Sequence, residues 1–74
     1  MNVDIMDAKQ IGHAIRERRK LLRVSQAELA DLAACSIPSI INAEAGKPTQ
    51  QLDKLLAILN ILGLSITIEN SRNL

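Results

Sequence analysis

The sequence predicts a mostly α fold: four to five short helices packed as one domain, with a single β-strand at the C-terminal end. Three observations predict it. Helix-cap and helix-stop residues recur along the 74 residues, so the chain reads as short helices separated by tight turns. Apolar residues inside those segments recur at helical spacing. The period then changes to two at Leu64, Ile66 and Ile68, the alternation of a strand.

The first helix covers about residues 8–22, with Asp7 as N-cap and Gln10 three positions on. Ile11, Ile15 and Leu22 fall on its core-facing side. The second helix has the clearest start, because Ser25 followed by Glu28 is a capping box. Leu29, Ala30 and Ala33 give it a narrow apolar face, and it ends near Ala34. Ser36 caps the third helix. Pro38 lies in its first turn, where a missing N–H costs nothing. That helix ends near Glu44, since Gly46 supplies a stop and Pro48 follows. Thr49 caps a fourth helix, which runs to about Leu62 with Leu52, Leu55, Leu56, Leu59 and Leu62 as its apolar stripe. Gly63 ends it.

The strand over 64–69 is nearly alone in its chain. Unpaired backbone groups make a lone strand unstable in water, so it needs a partner. The simplest is the same strand of a second copy, paired antiparallel across a two-fold axis. This makes Leu64, Ile66 and Ile68 the dimerisation residues. Val3 and Ile5 are a weaker second strand for the same sheet. A frayed tail is the plainer alternative.

Composition narrows the function. The chain has room for one domain, 1–74, and a core so small that a homodimer is expected. The single cysteine, Cys35, rules out a disulfide framework. One free thiol and no signal peptide point to a cytoplasmic setting. No apolar run approaches membrane-spanning length. The absence of aromatic residues argues against base stacking on single strands and against an aromatic-walled ligand pocket. His13 is the only histidine, no glycine-rich phosphate loop exists, and the carboxylates form no evident cleft. The expectation is a protein that is not an enzyme, with no cofactor and no metal.

Net charge is only +1, but Arg16, Arg18, Arg19, Lys20 and Arg23 crowd into eight positions, opposed by Glu17 alone. The cluster is either a face for phosphates or a solvated helix surface. The informative stretch is 26–44. Two short helices are joined by Ala34-Cys35-Ser36, with small Ala30 where they must approach and Ile40 as anchor. That is the geometry of a helix-turn-helix, whose second helix fits a major groove.

Ser25-Gln26-x-x-Leu29-Ala30, Ser36-x-Pro38-Ser39-Ile40 and Glu44-x-Gly46-Lys47-Pro48-Thr49 resemble the phage-repressor and Cro class of helix-turn-helix proteins, over about residues 11–62. The resemblance implies a lambda-repressor-like domain. Within the class, Gly46-Lys47-Pro48-Thr49 leading to Leu52-Asp53-Lys54, and the closing Leu62-Gly63-Leu64-Ser65-Ile66-Thr67-Ile68, are similar to HipB-type antitoxins.

The resemblance implies roles for particular residues. Gln26 matches a glutamine that touches a DNA phosphate, and an amide donor at a helix N-terminus suits an anion. Arg19 and Glu44 match a partly buried structural ion pair between helices. Ile37, Pro38, Ser39, Ile41 and Asn42 match the outward face of the recognition helix. Asn42 suits bidentate pairing with adenine, and Ile37 and Ile41 suit thymine methyls. Ser36 and Ser39 are within reach of phosphate or a base edge, and Lys47 of phosphate. Two positions depart from the class. Ala34 stands where the turn usually has glycine, at a cost of about 1 kcal/mol if its φ is positive. Ala43 stands where a larger aliphatic usually packs.

These features predict a sequence-specific repressor that binds double-stranded, palindromic operator DNA as a dimer. The HipB likeness adds a HipA-like kinase toxin as partner and repression of a shared operon. The recognition face carries no Arg, Lys or Gln, so a protein-interaction module that kept the fold without DNA readout is a rival. A stand-alone or phage-type regulator without a toxin is the other.

Overall fold

In this computed structural model the described residues are 2–3, 7–47 and 51–67. The element order is β1 (Asn2–Val3), α1 (Ala8–Leu21), α2 (Gln26–Leu32), α3 (Ile37–Ala45), α4 (Leu52–Ile61) and β2 (Ser65–Ile66).

Three helices start as the sequence requires. Asp7 accepts from the Gln10 amide at 2.9 Å. Ser25 and Glu28 close a full capping box: Ser25 Oγ accepts from the Glu28 amide at 3.0 Å, and Glu28 Oε1 accepts from the Ser25 amide at 3.2 Å. Ser36 Oγ accepts from the Ser39 amide at 3.2 Å. The fourth start differs. Helix α4 begins at Leu52 behind Gln51, which makes no side-chain cap. Thr49 lies outside the described residues.

All four helices end in the same way, with the paired bonds of a Schellman motif. The amides of Val24, Cys35, Lys47 and Leu64 donate to the carbonyls of Arg19, Ala30, Asn42 and Leu59, at 3.1, 2.9, 3.1 and 2.9 Å. Inside each, a residue with positive φ turns the chain: Arg23 (58°), Ala34 (54°), Gly46 (73°) and Gly63 (71°). Two of the four are therefore not glycine. Three of the residues that follow, Val24, Cys35 and Leu64, pack into or against the core. The stop is thus also an apolar anchor.

The core is aliphatic and comes from every helix: Ile15, Leu29, Ala30, Ile40, Ala43, Ile58, Leu59 and Leu62, with Leu64. Some expected core positions lie elsewhere. Leu22 is 43% exposed because it falls just past the last turn of α1. Leu52 and Leu56 are exposed, while Ile58 is fully buried. Helix α4 buries a narrower arc than its run of leucines suggests, centred on Leu55, Ile58, Leu59 and Leu62. No helix among the described residues is long and apolar enough to cross a membrane.

The strand has a partner within its own chain. β1 and β2 pair in parallel, Asn2 opposite Ser65 and Val3 opposite Ile66. A parallel pair needs a long crossover, and here the whole helical body supplies it. Val3, expected in a weaker second strand of this sheet, takes that place, so β2 finds a partner without the second copy expected as its simplest one. Leu64 and Ile66 do alternate inward with Ser65 and Thr67 outward. Leu64, however, is buried in the chain's own core, so its side chain is already used. Ile66 is half-buried, and Ile5 and Ile68 lie outside the described residues.

Candidate nucleic-acid interface

The interface is built by holding α3 from behind. Its inward residues are Ile40 and Ala43, both buried. Helix α1 crosses beneath at Gly12, where an added Cβ would stand 2.5 Å from the Ala43 carbonyl oxygen and 2.6 Å from that of Glu44. Glycine is required there by contact, not by backbone angle. The far end of α3 is equally close: a Cβ on Gly46 would stand 2.6 Å from Lys9 Cα. An apolar cleft lined by Ala8, Ile11, Ala43, Gly46, Lys47 and Leu55 lies beside these contacts, where the small Ala43 fills little space.

The turn before α3 sets its direction. Ala34 adopts φ 54°, the left-handed region that its neighbours in sequence do not need. Cys35 is half-buried behind it, with a free thiol.

A polar hub locks the three helices together. Arg19 Nε donates to Glu44 Oε2 at 2.6 Å, and its second terminal nitrogen donates to Glu44 Oε1 at 3.1 Å. The remaining nitrogen donates to the Val24 carbonyl at 3.0 Å. Gln26 Nε2, at the start of α2, donates to Glu44 Oε1 at 3.2 Å. Only 11% of the Arg19 side chain and 5% of the Glu44 side chain remain accessible. The hydrogen bond to Glu44 raises the Arg19 pKa above its ordinary value, outweighing desolvation. Arg19 and Glu44 thus form the ion pair between helices.

What α3 turns outward is apolar. Ile37 and Ile41 are 44% and 47% exposed, and Pro38 is exposed between them. Ser36 is exposed, and its Oγ lies 2.8 Å from Ser39 Oγ. Ser39 is half-buried. Asn42 is half-buried as well, and its side-chain amide makes no hydrogen bond among the described residues. Lys47 is exposed just past the helix end. Gln26, expected to face a phosphate, is half-buried with one amide hydrogen already held by Glu44. The second is left for another acceptor.

The basic cluster divides. Arg19 is committed to Glu44, and Arg18 Nε donates to the Leu62 carbonyl at 2.9 Å, fastening α1 to the end of α4. Arg16, Lys20 and Arg23 are exposed. The cluster is therefore partly structural rather than one continuous face. Sequence reasoning also missed Gly12, whose only signal is a glycine inside a helical pattern.

The comparisons with known proteins agree with this geometry. The helix-turn-helix family pattern matches residues 15–68. The uncharacterized HTH-type transcriptional regulator y4mF of Sinorhizobium fredii (strain NBRC 101917 / NGR234) is 45% identical over 58 residues, covering 78% of this chain and 76% of that protein. Among solved structures, a HipB complex with an O2 20mer superposes with a TM-score of 0.82 at 28% identity, over 93% of this chain and 96% of the other. A HipA-HipB-O2-O3 complex matches with the same TM-score at 26% identity, over 93% and 97%. The fold is the lambda-repressor-like one that the sequence motifs imply. A match over residues 15–68, joined to two short helices that cross as these do, places the chain in the helix-turn-helix family.

Proposed function

We propose that this chain is a DNA-binding transcriptional repressor that sets α3 into the major groove of duplex DNA. The observation that carries the reading is the one-sided anchoring of α3. Gly12, Ile40, Ala43 and the Arg19–Glu44 pair hold its back, while Ile37, Pro38 and Ile41 stand out from the body. A short rod held this way suits a groove. Asn42 supplies the base-edge amide, Ile37 and Ile41 meet thymine methyls, and Gln26, Ser36, Ser39 and Lys47 meet phosphate.

The protein acts as a homodimer on a palindromic operator. Two α3 helices then enter successive grooves about 34 Å apart. The likeness to HipB supports an antitoxin role with a HipA-like kinase toxin as second partner, because one similar structure is that of a HipA-HipB-O2-O3 complex. The protein has no catalytic role in this reading and works in the cytoplasm.

One observation favours a second reading. The outward face of α3 is mostly aliphatic and carries no Arg, Lys or Gln, so it also fits a protein surface. Electrophoretic mobility with selected duplex DNA across a salt series separates the two. The repressor gives a preferred sequence and a steep salt slope. A protein-interaction module gives no preference at any salt.

A further inference from the structure

Helix α1 carries a row of cations that no side-chain hydrogen bond or ion pair among the described residues uses. Lys9, Arg16 and Lys20 are exposed at i, i+7 and i+11, with exposed His13 at i+4 between them, and exposed Arg23 follows past the helix end. This spacing puts them on one helix face. Arg19–Glu44 is the one ion pair among the described residues, so no described carboxylate neutralises the row. Glu17, the acid on this helix, falls at the margin of the row.

The position of the row follows from what its neighbours touch. Gly12 and Arg19 face α3, through the Ala43 and Glu44 carbonyls and the Glu44 carboxylate. Arg18 faces the end of α4, bonding the Leu62 carbonyl, and Ile11 lines the cleft between Ala43 of α3 and Leu55 of α4. At about 100° per residue, the sequence of faces around α1 is the α4 side, then the α3 side, then the basic row. The row therefore flanks α3 and lies away from α4. It also begins where α3 ends, because the Lys9 backbone abuts Gly46 and exposed Lys47 is next in the chain.

The geometry points to a second DNA contact: Lys9, Arg16 and Lys20 meet the phosphates of duplex flanking the segment that α3 occupies. This rests on the proposed DNA-binding role. A polyanion with regularly spaced charges matches a regularly spaced row of exposed cations, and a strand of phosphates borders the groove on either side of the inserted helix. The contacts add affinity without sequence preference.

The test compares the full chain with a Lys9→Gln/Arg16→Gln/Lys20→Gln variant. All three positions are exposed, and circular dichroism verifies that the variant is folded. The probes are a duplex trimmed to the sequence that the wild-type protein selects, and the same site lengthened by one helical turn at each end. Binding is measured against salt. The expected result on the longer duplex is a salt slope shallower by about 0.9 for each lost contact, roughly 2.7 in all, with little change on the trimmed one. Equal slopes for the two proteins on the longer duplex overturn the proposal and leave the row to an acidic protein surface. Equal reductions on both duplexes also overturn it, by placing the contacts inside the core site. A wild-type protein that selects no sequence and binds no duplex refutes the DNA-binding role itself, an outcome distinct from the other two.

Discussion

Gln26 and Glu44 are 18 positions apart, yet Gln26 Nε2 donates to Glu44 Oε1 at 3.2 Å. That bond ties the first residue of α2 to the last turn of α3, and the same carboxylate receives both prongs of Arg19 from α1. Three helices therefore meet at one carboxylate, which fixes how α3 is presented. Arg19→Met leaves Glu44 with a nearly buried charge and no cation, and should cost about 3 kcal/mol. The double variant Arg19→Met/Glu44→Leu removes both charges and should recover more than half of that loss. Urea denaturation measures both. A double variant less stable than Arg19→Met alone would show that the pair contributes net stability through its charges.

Gly12 is the contact on which α3 rests. A methyl group there would lie within 2.6 Å of two carbonyl oxygens of the α3 backbone, so the helices must separate. Gly12→Ala should cost about 1–3 kcal/mol despite the better helix propensity of alanine. An unchanged melting temperature would contradict the crossing described here.

Ala34 turns the chain between the motif helices at φ 54°. Glycine adopts that conformation without a Cβ clash, so Ala34→Gly should stabilise the domain by up to about 1 kcal/mol. Thermal melting reads the gain. Destabilisation would mean that the alanine methyl group packs more than its exposure suggests.

Asn42 presents an amide that no described residue holds, at the edge of the α3 face. Asn42→Ala should weaken binding to the preferred duplex by roughly 1–3 kcal/mol and relax its sequence preference, with stability unchanged. Equal affinity for preferred and random duplex in the wild type would remove the basis for this role.

Much of the fold was legible because its signals are local. Asp7, Ser25, Ser36, Gly46 and Gly63 mark helix ends by chemistry that acts within a few residues. The motif spacing at 25–49 identified the domain type. What stayed hidden depends on partners far along the chain. Leu22, Leu52 and Leu56 have the right period, but no described residue covers them. The β2 partner at the opposite end of the sequence was foreseen through Val3, but its parallel register with Ser65 and Ile66 was not. Within the site, Arg19 and Glu44 were recognisable only through the motif resemblance, and the Gln26 link and the Gly12 contact join residues too far apart in sequence to leave a local signal. The basic cluster stayed open between two readings, because helical spacing alone does not tell that the fold also uses Arg18.

The central claim is that α3 enters a major groove, and guanine-N7 methylation interference on the wild-type protein's selected duplex tests it most directly. N7 lies on the major-groove edge. The account predicts interference at two clusters about one helical turn apart, and its loss together with binding in the exposed-face variant Ile41→Glu. Tight binding with no N7 interference, or Ile41→Glu binding as wild type does, would contradict it.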